Sequence, residues 1–330
     1  MIKKYLLLPV LILGAFHLNA QDFHLSQYDA AAQYHNPALT GKFNGNYRLH
    51  AHYRSQWGAI ATRPFTTFAL SFDKPVKKWG FGGMIFNQNA GAGYYNVLAA
   101  YFTASYTFTL DKEGKHFISP GLMAGGFQKS IDMGKLYFQS QYVPINGGTF
   151  DQAVSSGENV ASSAFMNYDL GAGLLYFFGN NDAFLLPFIG ITTYHITEPK
   201  ETFFSNSNKL PMRHIIHGGV KANITDRLQI LPKFLNMYQK NNSELTTSLI
   251  IQYYFKNADL YLLAGPTYRN KDAAIMEIGA KYGPYTLRLS YDFNTSSLQP
   301  YTNSRGGFEV SLTYIPRKFN PNPVINCPKL

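Results

Sequence analysis

Leu98-Ala99-Ala100-Tyr101-Phe102-Thr103-Ala104-Ser105-Tyr106-Thr107-Phe108 alternates in a way that suits an extended chain. On a strand, successive side chains point to opposite faces. Leu98, Ala100, Phe102, Ala104, Tyr106 and Phe108 therefore share one face, and Thr103, Ser105 and Thr107 the other. The pattern returns near the end of the chain. Tyr285, Leu287, Leu289, Tyr291 and Phe293 oppose Thr286, Arg288, Ser290 and Asp292, and Phe308, Val310, Leu312 and Tyr314 oppose Glu309, Ser311 and Thr313. Such faces suit the core of a soluble sandwich as well as the wall of a membrane barrel. Alternation alone leaves both open.

The connections between these runs separate the two. Segments of about ten residues with this alternation, bounded by Gly, Pro, Asn or Asp, predict roughly 14 strands, an even number compatible with closure. They fall at 46–55, 65–73, 79–88, 95–109, 116–128, 167–178, 183–196, 212–224, 227–238, 245–255, 259–269, 273–282, 284–293 and 305–315. Short links at 73–78, 111–115, 179–182, 223–227, 255–259 and Gly283-Pro284 occupy every second position, and longer ones at 129–166, 197–211, 239–244 and 294–304 occupy most of the others. A sandwich has no reason to sort its loops by parity, whereas outer-membrane barrels have short periplasmic turns and longer outer loops. The expected fold is all-β: a transmembrane antiparallel outer-membrane β-barrel over 46–315. Both termini are expected in the periplasm, as an N-terminal segment at 21–45 and a C-terminal tail at 316–330.

The N-terminus agrees with that address. Lys3 and Lys4 precede an apolar run from Tyr5 to Phe16, and Leu18-Asn19-Ala20 ends on a small residue, so residues 1–20 read as a signal peptide cleaved before Gln21. The apolar run is too short for a spanning helix, which needs about 20 residues. Tyr 24, Phe 26 and Gly 28 against 15% charged residues is a composition suited to aromatic girdles and tight turns. Mean hydropathy is only -0.17, so a membrane protein built from this chain spans by strands. The formal charge of +10 falls by two when Lys3 and Lys4 leave, and the remaining basic residues are scattered, which argues against a nucleic-acid partner. Cys327, the single cysteine, either stays a free thiol or pairs with another protein.

The first strand has an unusual polar face. Arg48, His50, His52, Arg54 and Gln56 recur at period two opposite Tyr47, Leu49, Ala51 and Tyr53. Closing a barrel pairs first strand with last, which brings Arg48 and Arg54 to the wall that carries Glu309, with Arg288 and Asp292 one strand further and Glu277 and Lys281 on the next. Charges in a narrow lumen need partners. The expectation is a lumen salt-bridge network and a filled or narrow barrel in place of an open pore.

Other chemistries find little support. His50 and His52 share a face but lack a third metal ligand, and His214 and His217 face opposite ways on a strand. No Gly-x-Ser-x-Gly elbow occurs, and no helix follows the glycines at 80–83 or 91–93 to make a phosphate site. Neither an enzyme nor a cofactor or metal is expected. Asn241-Asn242-Ser243 and Asn294-Thr295-Ser296 fit the glycosylation pattern but read more simply as loops.

Several stretches resemble the PorP/SprF family of outer-membrane proteins, which belong to the type IX secretion and gliding machinery of Bacteroidetes. They are Gln27-Tyr28 followed by Asn36-Pro37-Ala38-Leu39-Thr40-Gly41, then Tyr53-Arg54-Ser55-Gln56-Trp57 followed by Pro64-Phe65-Thr66-Thr67. Leu231-Pro232-Lys233-Phe234, Tyr268-Arg269, Leu289-Ser290-Tyr291-Asp292-Phe293 with Leu298, and Gly307-Phe308-Glu309-Val310-Ser311-Leu312 continue the likeness in order. The closing Cys327-Pro328-Lys329-Leu330 departs from the family's Cys-Pro-Arg-aromatic ending in its last two residues. The resemblance implies a non-enzymatic secretion component linked to periplasmic rings of the machinery and to secreted clients with C-terminal sorting domains.

On that basis the expected role is an anchor and adaptor embedded in outer-membrane lipid, with a diffusion porin or small-molecule channel as the alternative. The loop at 129–166, with Tyr137, Phe138, Tyr142 and Phe150, is the first choice for client contact, or else a lid over the barrel mouth. The tail with Arg317, Lys318 and Cys327 suits an extended segment that binds a periplasmic partner, or else a disordered end.

Overall fold

The computed structural model describes residues 22–316, apart from 62, 92–93, 146–147, 159–162, 181 and 204–207. Fourteen long strands follow one another around a closed antiparallel barrel. They are β1 (Arg48–Gln56), β2 (Phe65–Val76), β3 (Trp79–Ala90), β4 (Tyr95–Tyr106), β5 (His116–Ser130), β6 (Ala164–Phe178), β7 (Leu185–Tyr194), β8 (Arg213–Asn223), β9 (Leu228–Gln239), β10 (Asn242–Phe255), β11 (Leu260–Arg269), β12 (Ala273–Tyr282), β13 (Tyr285–Asn294) and β14 (Arg305–Tyr314). The ring closes where β1 pairs with β14, in the register Leu49↔Tyr314 to Gln56↔Gly307. Closure removes the unpaired edges that a membrane interior cannot solvate.

The alternation in sequence becomes the two faces of the wall. On β4, Leu98 and Phe102 stand exposed on the outside, whereas Val97, Ala99, Tyr101, Thr103 and Ser105 are buried inside. Exposed rings gather at one rim, where Trp79 meets Tyr106 at 4.8 Å, Tyr106 meets Phe108 at 4.7 Å and Tyr285 meets Tyr314 at 5.0 Å. This is the girdle expected where a barrel wall leaves hydrocarbon. Proline interrupts the ladders because it lacks an N–H. Pairing between β8 and β9 stops at Gly219↔Lys233 and resumes at Ala222↔Ile230, skipping Pro232, and pairing between β10 and β11 skips Pro266 in the same way.

The connections at 77–78, 107–115, 179–184, 224–227, 256–259 and 283–284 lie at one end, the short-turn end. The other end carries the long loops 131–163 and 195–212 with 57–64, 91–94 and 295–304. Loop parity is less regular than the sequence suggested, since the link expected to be long at 239–244 is a turn of Lys240 and Asn241. The ladder runs to its tip, Gln239↔Asn242, and Lys240 takes φ 55° to close it.

The larger departure from the sequence reading is the segment before the barrel. Residues 21–45, expected as a separate periplasmic segment, are described from Asp22 onward and run through the lumen. Asp22 sits beside Gln239 and His195 at the long-loop end, and the chain descends to Asn46, whose N–H donates to the Pro316 carbonyl at the short-turn end. The two described ends of the chain thus lie at opposite ends of the barrel, not on one side as loop parity alone suggested. The segment contains one helical turn, α1 (Ala32–His35), followed by a 3₁₀ turn at Pro37–Leu39 whose Ala38 N–H donates to the Asn36 side chain at 2.9 Å. Gln27, Asn36, Ala38 and Thr40 have no exposed surface. Three wall glycines make room for it. A β-carbon at Gly80 would collide with the Thr40 carbonyl, one at Gly121 with the Ala38 backbone, and one at Gly173 with the Asn36 side chain.

Candidate functional site: the plugged lumen

The lumen's charged side chains converge on this internal plug at four levels. The largest cluster spans the seam of the barrel. Arg54 and Glu309 are direct partners in the β1–β14 register and form an ion pair. Glu309 also accepts from the Ser26 N–H at 2.6 Å, from the Gln27 N–H at 2.9 Å, and contacts His52 Nε2 at 3.0 Å. Asp292 accepts from the Ser26 hydroxyl at 2.7 Å, from Arg54 at 3.1 Å and from Arg269 at 2.8 Å. Every member is buried, so each ion is compensated by hydrogen bonds in place of water.

Deeper in the lumen, Asp29 bridges two cations. It meets Arg288 at 2.7 Å and Lys233 at 2.5 Å, and Arg288 turns its Nε to Glu277 at 2.5 Å. The two cations compensate the buried carboxylate that they share. Nearby His35 packs its ring 4.0 Å from that of His217, and Asn36 Nδ2 lies 3.0 Å from His217 Nε2.

At the long-loop end, His195 sits between Asp22 at 2.6 Å and Asp169 at 2.8 Å. Arg213 reaches Asp22 at 3.2 Å and donates to the Tyr34 hydroxyl at 2.7 Å. Burial opposes a charged His195, but Asp22 and Asp169 more than offset it and raise the imidazole to about 9. At the short-turn end, Asp73 accepts from Arg48 at 2.8 Å and from the Gly41 N–H at 2.6 Å.

The residues picked out by sequence are thus distributed over this scaffold. His52, Arg54, Asp292 and Glu309 come together at the seam, and Glu277 joins Arg288 at Asp29. Arg48 pairs with Asp73, and His50 bonds to Thr313 at 2.9 Å. Lys281 lies with its ammonium 5.6 Å from the Tyr261 ring. Sequence reasoning missed Asp22, Ser26 and Asp29 of the plug, and Asp169, His195, Arg213, Lys233 and Arg269 of the wall and its rim. A signal was present: the inward faces of β8, β9 and β11 carry Arg213, Lys233 and Arg269 with few acids opposite, which called for carboxylates from elsewhere.

Of the loop nominated for client contact, Tyr142 and Phe150 sit on a small ribbon formed by Tyr142–Val143 and Thr149–Phe150. Their rings meet at 5.4 Å, Tyr137 meets Phe150 at 5.7 Å, and the Phe138 N–H donates to the Gln141 side chain. Tyr137, Tyr142 and Phe150 stay exposed. The expected signal peptide at 1–20 and the tail residues Arg317, Lys318 and Cys327 lie outside the described residues.

Residues 17–314 match the family described as type IX secretion system membrane protein PorP/SprF. The chain belongs to the PorP/SprF family. Membership implies an outer-membrane location for the barrel and a part in type IX secretion. No curated protein matches the chain in sequence. Among solved structures, this PorP/SprF barrel is similar to the CymD monoaromatic hydrocarbon channel, with 13% identity, TM-score 0.52, and 88% of this chain and 94% of that chain covered. It is also similar to the Ralstonia pickettii toluene transporter TbuX (12% identity, TM-score 0.54, 87% and 93% covered) and the Pseudomonas putida toluene transporter TodX (11%, 0.54, 86% and 92%). At these identities the likeness is one of fold.

Proposed function

We propose that this PorP/SprF barrel is an anchor and adaptor of the type IX secretion machinery. It fixes periplasmic secretion components to the outer membrane and helps to secrete or surface-attach particular client proteins. The observation that carries the reading is the plug. A lumen crossed by residues 22–45 and tied at four levels, by ion pairs at Asp22 and Asp29 and by hydrogen bonds at Ser26 and Gly41, leaves the two rims as the surfaces for work, and family membership supplies the machinery to which they belong. A diffusion porin needs a water-filled path; the plug favours the adaptor over it.

In this reading the short-turn end, where Pro316 lies, faces the periplasm, and the tail that carries Arg317, Lys318 and Cys327 binds a machinery component. The long-loop end faces outward and offers Tyr137, Phe138, Tyr142 and Phe150 to a client with a C-terminal sorting domain. Exposed aromatic rings on a short ribbon suit such an interface, because they bury large area at little entropic cost. Affinity purification from outer membranes followed by mass spectrometry tests the proposal. Periplasmic type IX components should co-purify with the barrel, and a barrel recovered with none of them would contradict the anchoring role.

A further inference from the structure

The plug does not fill the lumen evenly. At the long-loop end a cavity of about 260 Å³ remains between plug and wall. The plug lines it with Phe23 and Tyr34, stacked at 4.6 Å, and Phe86 stands edge-on to Phe23 at 5.0 Å. Tyr101, Phe127 and Met123 continue the apolar lining. An apolar cavity of about 150 Å³ holds a benzene ring, so this one has room for a second fused ring.

The polar side of the cavity is specific. Asp169 lines the cavity in a fully buried position, and its Oδ2 already accepts from the Tyr101 hydroxyl at 3.1 Å and contacts His195 at 2.8 Å. Its Oδ1 is buried with no hydrogen-bond partner. A buried acceptor left unsatisfied is costly and is normally paired. The ions around the cavity are mutually compensated: Asp22 with Arg213 and His195, His195 with Asp169, and Lys129 with Glu201. A charged guest would upset that balance, whereas a neutral hydrogen-bond donor would complete it.

We propose that this cavity binds a neutral, compact aromatic molecule of about two fused rings carrying one hydrogen-bond donor, which Asp169 accepts once its carboxylate turns toward the guest. The site goes beyond the adaptor role and does not depend on it.

Indole and indene have nearly the same shape, but only indole has an N–H. Calorimetric titration of the purified full-length barrel in lipid nanodiscs should show saturable binding of indole, with indene at least about tenfold weaker for want of the hydrogen bond. Two variants that fill the cavity from its lining, Ala90→Trp and Val97→Phe, should each weaken indole at least about tenfold by occupying its space. Heat-modified migration in electrophoresis checks that both variants still fold. If the native barrel shows no saturable indole binding, or if a folded Ala90→Trp and a folded Val97→Phe bind it unchanged, the site does not exist. Equal affinity for indole and indene would overturn the assignment of Asp169 and of a donor-bearing ligand.

Discussion

Arg54 and Glu309 face each other across the seam where the first strand meets the last, and the same carboxylate receives the backbone N–H groups of Ser26 and Gln27. One acid therefore joins barrel closure to plug docking. Glu309→Gln keeps the shape but leaves Arg54 facing a neutral amide in a buried site. Removing one partner of a buried pair costs about 3–5 kcal/mol. The variant barrel should unfold at a lower temperature in heat-modified electrophoresis, and limited proteolysis should cut within residues 22–45 more readily than in the native chain.

Asp29 offers a test of the plug that leaves the wall intact. Asp29→Asn removes the carboxylate shared by Arg288 and Lys233 while Glu277 still holds Arg288. Destabilisation of the plug by about 3 kcal/mol is expected. Hydrogen exchange followed by mass spectrometry should show faster exchange in peptides covering 25–40 and little change in β1 to β6. Unchanged exchange in the plug would contradict the anchoring role of this pair.

The wall glycines make a steric prediction. Gly121→Val places a branched side chain where the Ala38 backbone runs, whereas Gly83→Ala points outward, with its nearest neighbour, the Tyr101 carbonyl, at 3.4 Å. Gly121→Val should displace residues 36–40 and raise proteolysis there. Gly83→Ala should behave like the native barrel, and equal behaviour of the two variants would count against the packing described.

The clamp at His195 sets a pH dependence. Its folded value of about 9 exceeds the ordinary 6.5, so the charged imidazole stabilises the plug fully below about pH 6.5, and that stabilisation is lost as pH rises through about 9. The groups facing it are Asp22 of the plug, Asp169 of β6 and, through Asp22, Arg213 of β8. Exchange of the first plug residues should quicken between pH 7 and pH 10 in the native barrel. In His195→Gln it should already be fast at pH 7 and change less, apart from the intrinsic effect of base on exchange. A native profile parallel to that of the variant would remove His195 from the clamp.

The wall was largely legible in the sequence. Two-sided strands such as β4 and β13 must show their period, because one face meets lipid and the other the lumen. Closure alone brought Arg48 and Arg54 to the wall that carries Glu309 but did not decide which of them pairs with it: Arg54 does, and Arg48 turns to Asp73. Residues 22–45 escaped because they obey neither period: Ser26, Gln27 and Asn36 satisfy wall groups far away in sequence, so locally they read as a polar linker. The excess of inward cations at Arg213, Lys233 and Arg269 was the trace the plug left in the strands. Lys240 escaped for a smaller reason, a left-handed backbone at a residue that seldom adopts it.

Single-channel recording of the purified barrel in a planar bilayer tests the central claim most directly. A lumen crossed by residues 22–45 and tied at Asp22, Ser26, Asp29 and Gly41 predicts no large, stable conductance, with openings appearing in Asp29→Asn. A large, steady conductance from the native barrel would contradict the plugged lumen and return the protein to the class of open pores.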